Sequence, residues 1–282
     1  MKFQIIIPAH NEEEFISQTL ESLSQQTLLP KKVIVVNDNS SDKTKEIVEG
    51  FAEQQHWISI VNSKSSNQHL PGSKIVKAFY KGYDIMDDDY DVICKFDADL
   101  VFPDNYLEAL AIHFQSNKNL GMAAGFCYIE KKGEWILEDL TNKDHIRGAL
   151  KAYRKQCFID IGKLKPSMGW DTVDELLAKF YGWDILTDEK LKVKHLKPTG
   201  ISYNAASKYM QGEAMYKMRY GFPITFISAF KLASKKASFK LFRDYISGYL
   251  RARRKKESHL VNKEQGKFIR KLRWEGMKKK LT

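Results

Sequence analysis

The chain has 282 residues, 43% of them hydrophobic and 29% charged, enough to bury a full core in one large domain. Its net charge of +11 is unevenly placed: residues 231–282 hold 18 Lys/Arg against 4 Asp/Glu, a net of +14, while residues 1–230 hold 28 against 31, a net of −3. The three cysteines, Cys94, Cys127 and Cys157, lie in or beside apolar stretches with no Cys-x-x-Cys pair, which excludes a disulfide framework or zinc ribbon and reads as reduced thiols of a cytosolic protein.

The chain opens on a strand-like segment, without the basic region, apolar stretch and cleavage pattern of a secretory signal. Ile5-Ile6-Ile7 runs into Pro8-Ala9-His10-Asn11, and Val33-Ile34-Val35-Val36 runs into Asn37-Asp38-Asn39-Ser40-Ser41-Asp42. Continuous apolar runs of this kind predict strands buried on both faces, hence a parallel sheet. Between them a helix turns Phe15, Leu20 and Leu23 inward, with Asn11 and Glu14 as a capping box at its start. A second helix carries Ile47, Val48 and Phe51. A third strand spans Ile58 to Val61, and a third helix, opened by Gly72-Ser73-Lys74, carries Val76, Phe79, Tyr80 and Tyr83. At such a helix start the Lys74 ammonium suits diphosphate oxygens, the alternative being a solvated lysine on a surface turn.

Val92-Ile93-Cys94 then leads into Phe96-Asp97-Ala98-Asp99-Leu100. Two carboxylates one residue apart at a strand end repel unless neutralised. Mg²⁺ takes such oxygens together with substrate phosphates. The alternation β-α-β-α-β-α-β predicts an α/β layer fold with right-handed crossovers, in which ligands bind beyond the carboxyl ends of the strands. Three polar clusters meet at that edge: Pro8 to Asn11, Asp38, and Asp97 with Asp99.

In order and spacing, Ile7-Pro8-Ala9-His10-Asn11-Glu12-Glu13, Val35-Val36-Asn37-Asp38-Asn39-Ser40-Ser41-Asp42 and Asp97-Ala98-Asp99 resemble the successive signatures of family 2 glycosyltransferases with the GT-A fold, over roughly residues 1 to 220. The resemblance implies a nucleotide-diphosphate sugar donor (UDP, GDP or dTDP), a divalent cation (Mg²⁺ or Mn²⁺), and transfer with inversion at the anomeric carbon to a glycan or lipid-linked acceptor. Carried over by position, it implies that Asp38 accepts from the nucleotide base, Asp97 sits near the ribose and Asp99 holds the metal. Pro8 and Ala9 would line the base pocket, and Glu12 would support its loop. Asn37 stands where an Asp is common.

Further along, Gly169-Trp170-Asp171-Thr172-Val173-Asp174-Glu175 predicts a helix with Trp170, Val173, Leu177 and Phe180 on its apolar face. Asp171, Asp174 and Glu175 share another face. Transfer to an alcohol needs a carboxylate to take the hydroxyl proton, and the family places such an acid at the start of this helix. Spacing to Gly182 favours Asp171 as the base, and a looser count favours Asp174. Acids at a helix N-terminus also suit its dipole without any catalytic role. His195, on a late strand, is either a further metal ligand, as in some GT-A enzymes, or a structural residue. His10, His56, His69, His113, His145 and His259 have no partner that spacing assigns. Trp135 and Trp170 wall a sugar or fill core, and Trp183 reads as core.

The last segment places Phe239, Phe242, Ile246, Tyr249 and Leu250 at helical spacing, a basic amphipathic helix. It either docks on the body or meets an anionic membrane surface, which would put the protein on the inner face of the cytoplasmic membrane. The expected organisation is a nucleotide-sugar half (1–115), an acceptor and catalytic half of the same domain (116–230), and a basic helical tail (231–282). The chief rival is a Mg²⁺-dependent haloacid-dehalogenase-like phosphatase with Asp97 as nucleophile. That motif normally opens its domain, whereas here three βα units precede it. A sugar-nucleotide pyrophosphorylase lacks its Gly-rich loop here, and a nucleic-acid-binding role has only the basic tail behind it.

Overall fold

In a computed structural model of the chain, the structure describes residues 1–64, 72–138, 143–197 and 208–279. The first half alternates as expected: β1 (Phe3–Ala9), α1 (Ile16–Ser24), β2 (Lys32–Asp38), α2 (Thr44–Gln54), β3 (Ile58–Ser63), α3 (Ser73–Tyr83) and β4 (Val92–Phe96). β3, β2, β1 and β4 lie side by side and parallel. The apolar runs form the centre of the core, with Ile5, Ile6, Ile7, Val33 to Val36, Val92 and Ile93 fully buried.

The second half extends the sheet with mixed pairing. It comprises β5 (Leu100–Val101), α4 (Tyr106–Ser116), β6 (Leu120–Lys131), β7 (Glu134–Leu137), β8 (Leu150–Arg154), α5 (Lys155–Asp160), α6 (Trp170–Phe180) and β9 (Asp184–His195). The strand order is β3-β2-β1-β4-β8-β6-β9-β5, with β7 hairpinned on β6. Two antiparallel registers matter for the site. β4 on β8 sets Lys95 opposite Lys151, and β5 on β9 sets Leu100 opposite His195.

The first turn of α1 departs from the expected capping box. The helix starts at Ile16 without a side-chain cap. Asn11 instead adopts a left-handed φ of 54°, and its Oδ1 accepts from the Ser41 backbone N–H at 2.8 Å. Ser40 Oγ accepts from the Asn11 N–H at 3.0 Å, so the loops after β1 and β2 hold each other. That loop-to-loop bond outcompetes a local cap because it satisfies donors of two segments at once.

After β9 the described chain continues as α7 (Met210–Lys217), α8 (Phe222–Lys235), α9 (Phe239–Lys255) and α10 (Lys263–Lys278). α10 docks on the body: Ile269 is fully buried, Phe268 meets Phe180 edge-on at 5.5 Å, and Gln265 Nε2 donates to the Tyr181 hydroxyl at 3.2 Å. α9 lies against α7 closely enough that a Cβ on Gly248 would stand 2.1 Å from the Tyr209 carbonyl. Residue 231 falls inside α8. Among the described residues no helix is long and apolar enough to cross a membrane.

Candidate active site

β1, β2 and β4 deliver their polar ends to one edge, as parallel pairing requires. On the β2 side, Asp38 is buried. Its carbonyl accepts from His10 Nδ1 at 2.7 Å, and its carboxylate stands 3.8 Å from Lys74 Nζ. Lys74 reaches there because Gly72, with φ 75°, turns the chain into α3; a Cβ at Gly72 would lie 2.7 Å from the Ser167 carbonyl. The loop that opens α3 therefore rests on the loop that opens α6. Pro8 and Ala9 close the same edge at the end of β1.

Beyond β4 the chain places Asp97, Asp99 and His195 so that one ligand atom from each lies within 4.8 Å of the others. The backbone explains the meeting: Asp99 is followed by β5, whose first residue pairs with His195, and Leu196 N–H donates to the Asp99 carbonyl at 2.9 Å. His195 Nε2 lies 3.4 Å from Asp99 Oδ2, and its Nδ1 lies 2.8 Å from Glu138 Oε2. Burial alone would lower the His195 pKa, but Asp99 and Glu138 beside it raise it to about 9. Asp97 pairs with the buried Lys95. Burial works to raise the Asp97 carboxyl, and Lys95, then His195 and Arg147, override it and hold it below the usual carboxylate range.

Two buried oxygens at this edge have no hydrogen-bond partner among the described residues, Asp99 Oδ1 and Glu12 Oε2. A buried carboxylate oxygen left so is costly unless a cation or ligand completes it. The Glu12 pKa rises to about 7, chiefly through burial and then through Asp99 and Asp97, against the opposing Lys197, whose Nζ is 3.1 Å from Glu12 Oε1. The Glu12 backbone N–H donates to Thr44 Oγ1 at 2.8 Å. Two carboxylates and an imidazole around an orphaned oxygen fit a divalent cation such as Mg²⁺ or Mn²⁺. A second grouping, Cys127 with Glu138 and His195, does not fit. Burial pushes the Cys127 thiol up to about 12, and Glu138 is taken by Arg147 and His195.

The helix predicted from Trp170 is α6, and its acids part company. Asp174 and Glu175 are buried, whereas the Asp171 side chain keeps 34% exposure. The acids therefore do not share one solvated face. Lys151, fully buried on β8, donates to Glu175 Oε1 at 2.8 Å and to Asp174 Oδ1 at 3.2 Å. Its third bond, at 2.7 Å, goes to the Asp171 carbonyl. The Tyr153 hydroxyl donates to Asp174 Oδ2 at 2.5 Å. Burial opposes the Lys151 charge, and the neighbouring Asp174, Glu175 and Asp171 restore it and raise its pKa. His145 bridges the acids, with Nδ1 3.0 Å from Glu175 Oε1 and Nε2 4.0 Å from Asp171 Oδ2. Trp170 is buried under the Lys95 ammonium, 5.5 Å from its ring centroid. Trp183 packs against the core and bonds Asp160 at 3.0 Å, and Trp135 lies under Lys194. His69 is outside the described residues.

Lys95, Glu138, His145, Lys151 and Lys197 were not singled out from the sequence. A lysine inside an apolar strand, as in Val-Ile-Cys-Lys-Phe or Leu-Lys-Ala-Tyr, is the signal that could have found two of them, since an ammonium is buried only with acids beside it.

The site is thus a mixed α/β sheet with carboxylates gathered at its parallel-strand edge and an open acid on a neighbouring helix. Residues 4–164 match the family described as Glycosyl transferase family 2, and the chain belongs to it. It is 39% identical over 116 residues to a "Probable glycosyltransferase YdaM" of Bacillus subtilis, covering 40% of this chain and 25% of that protein. It is 29% identical over 192 residues to an "Uncharacterized glycosyltransferase MG025 homolog" of Mycoplasma pneumoniae, covering 59% and 57%. The chain thus spans a quarter to somewhat over half of these relatives' lengths.

Among solved structures, S. aureus TarS 1-349 in complex with UDP-GlcNAc aligns with TM-score 0.54 and 20% identity over 78% of this chain and 65% of that one. The mannosyltransferase PcManGT of Pyrobaculum calidifontis, in complex with GDP-Man and Mn²⁺, aligns with TM-score 0.54 and 15% identity over 76% and 62%. The expected GT-A fold is the observed one. The haloacid-dehalogenase reading falls, because the family match runs through all three βα units and the Asp97-Ala98-Asp99 motif.

Proposed function

We propose that this chain transfers a sugar from a nucleotide-diphosphate donor to a hydroxyl of a glycan or lipid-linked acceptor, with inversion at the anomeric carbon. The observation that carries the reading is the buried, unpartnered Asp99 Oδ1 beside Asp97 and His195. The complexes of the similar structures, one with UDP-GlcNAc and one with GDP-Man and Mn²⁺, support a nucleotide sugar and a divalent cation.

In this reading Pro8, Ala9 and Asp38 hold the nucleotide base, Lys74 contacts the diphosphate, Asp97 sits near the ribose, and Asp99 with His195 holds Mg²⁺ or Mn²⁺. The cation, when bound, offsets charge on the leaving diphosphate. Asp171 takes the proton of the acceptor hydroxyl as its oxygen forms the new bond to the anomeric carbon; the bond to the diphosphate oxygen breaks on the opposite face. A single displacement inverts the centre. Asp171 suits the part better than Asp174, because its carboxylate is open while that of Asp174 is committed to Lys151 and Tyr153. The acceptor enters between α6 and the stretch from Tyr128 to Arg154. The enzyme works at the anionic inner face of the cytoplasmic membrane, where the basic C-terminal helices meet the lipid.

Isothermal titration with UDP, GDP and dTDP in Mn²⁺ tests the site. Asp99→Ala should lose the metal-dependent part of nucleoside diphosphate binding and keep its fold by circular dichroism. Unchanged affinity in the variant overturns the assignment.

A further inference from the structure

The sequence put one apolar stripe on α9, but the structure divides it. Tyr249 is buried with Tyr245, Gly248 and Ala252, on the side where α9 closes on α7. Phe239 is 79% exposed. Phe242 is half-buried and joins Phe239 to a row of rings on α8: it lies 6.0 Å from Phe239, 5.3 Å from Phe226 and 6.4 Å from Phe230, centroid to centroid. On α8 itself Phe222, Phe226, Ile227 and Phe230 recur at helical spacing and all face out, Phe230 at 62% exposure, while Ile224, Ala229 and Ala233 face in. The two helices thus build one aromatic ridge. A protein surface seldom leaves so large a contiguous apolar patch open without a partner.

The charge around the ridge identifies the partner. Residues 222–256 carry ten Lys/Arg and one acid, Asp244, and Asp244 is buried beside Lys208. Lys231, Lys235, Lys236, Lys240 and Arg243 are all exposed on the two helices that carry the rings. Apolar side chains without a polar handle, ringed by cations, match a bilayer whose acyl chains take the rings and whose anionic headgroups meet the ammonium groups. A nucleic acid would satisfy the charge, but base stacking would not account for the aliphatic Ile227 beside the rings, which acyl chains take equally well.

We infer that the α8–α9 ridge, centred on Phe226, Phe230, Phe239 and Phe242, is a membrane-insertion surface for bilayers rich in anionic phospholipid. It rests on the membrane location proposed above, and it moves the contact from a tail stripe to a surface that α8 shares.

The test is sedimentation of the full chain with vesicles of phosphatidylcholine alone or of equimolar phosphatidylcholine and phosphatidylglycerol. Wild type should pellet with the anionic vesicles and stay in solution with the neutral ones. Phe230→Ser with Phe239→Ser should weaken partitioning about tenfold or more, as expected for taking two rings out of the lipid. Its thermal midpoint should change little, because both rings are mostly exposed and touch the body through the half-buried Phe242. Lys235→Gln, Lys236→Gln and Lys240→Gln together should weaken it most at low salt. Wild-type protein that ignores anionic vesicles at low salt overturns the inference. So does wild-type-like binding by the double Phe variant, a change of oligomeric state in that variant, or displacement by DNA in preference to lipid. Nucleoside diphosphate binding with Mn²⁺, measured on the same proteins, separates the two readings. Wild-type failure to bind vesicles with that titration intact removes the ridge and the membrane location but not the transfer reading. Wild-type-like vesicle binding by the double Phe variant removes the ridge alone, and vesicle binding with the titration lost removes the transfer reading alone.

Discussion

Asp171 and Asp174 lie one helical turn apart, and replacing each by Asn separates catalysis from architecture. Asp174 is 2% exposed; its carboxylate takes the Tyr153 hydroxyl at 2.5 Å and Lys151 Nζ at 3.2 Å. Asn keeps the shape but weakens two hydrogen bonds in which one partner is charged, each worth about 1.5–3 kcal/mol. Part of that loss is returned, because two buried acids no longer compete for one ammonium. A net loss of about 1–3 kcal/mol follows, and at about 2–4 °C per kcal/mol for a chain of this size the thermal midpoint should fall by about 2–12 °C. Among the described residues the charged group recorded near the Asp171 carboxylate is the His145 imidazole, at 4.0 Å, so Asp171→Asn should stay within about 0.5 kcal/mol of wild type. Its rate should instead drop by about 10² to 10⁴, the usual cost of losing a general base. Donor selection comes from a thermal-shift screen of UDP-, GDP- and dTDP-sugars with Mn²⁺, and turnover from release of the nucleoside diphosphate. Asp174→Asn should turn over within about tenfold of wild type at a temperature where it is folded, if Asp171 is the base as proposed. A dead Asp174→Asn of unchanged stability, beside an active Asp171→Asn, would refute the assignment of the base.

Two further substitutions probe the ion pairs. Lys151→Met leaves Asp174 and Glu175 buried without their shared cation, which should cost about 3–5 kcal/mol at pH 7. Burial lifts the Asp174 carboxyl to about 6 even with Lys151 beside it, while Lys151 and His145 override burial and hold Glu175 at about 2. Without Lys151 both rise, so the deficit should shrink as pH falls from about 7 to about 5 and a proton replaces the lysine; urea unfolding showing an equal loss at both pH values would contradict this. Lys74→Ala should weaken nucleoside diphosphate binding about tenfold, roughly 1.4 kcal/mol, and leave binding of the nucleoside unchanged; calorimetry showing both weakened alike would move Lys74 from the diphosphate to the base.

The parallel half was legible because a strand covered on both faces has to be apolar at every position, and Ile5 to Ile7, Val33 to Val36 and Val92 to Cys94 are. The Asp97-Ala98-Asp99 edge was legible because the pair, weak alone since it also occurs in solvated turns, met the polar ends of two neighbouring strands. What stayed hidden depends on contacts across the fold. Asn11 looked like a cap from local spacing, yet its side chain serves a loop 30 residues away. The approach of His195 to Asp99 is set by β5, a two-residue strand too short to carry any periodicity. In the C-terminal helices the spacing showed that one face is apolar but not what covers it: Tyr249 turned toward α7, and Phe222, Phe226 and Phe230 joined from another helix.

The cross-strand pair Lys95 and Lys151 shows how one sheet register divides the site. Antiparallel pairing of β4 and β8 puts these residues directly opposite each other, and both are buried. Two adjacent buried ammonium groups persist only if each has its own acids. Lys95 takes Asp97, on the edge where the donor is proposed to bind, and Lys151 takes Asp174 and Glu175 from α6. The contact of Lys151 with Asp171 is through the carbonyl, which fixes the first turn of α6 and leaves the Asp171 carboxylate uncommitted to a buried cation. A carboxylate so placed is held in position by its backbone while its side chain remains free to accept a proton. On that ground the proposed base is the acid the helix leaves open, and not the ones it buries.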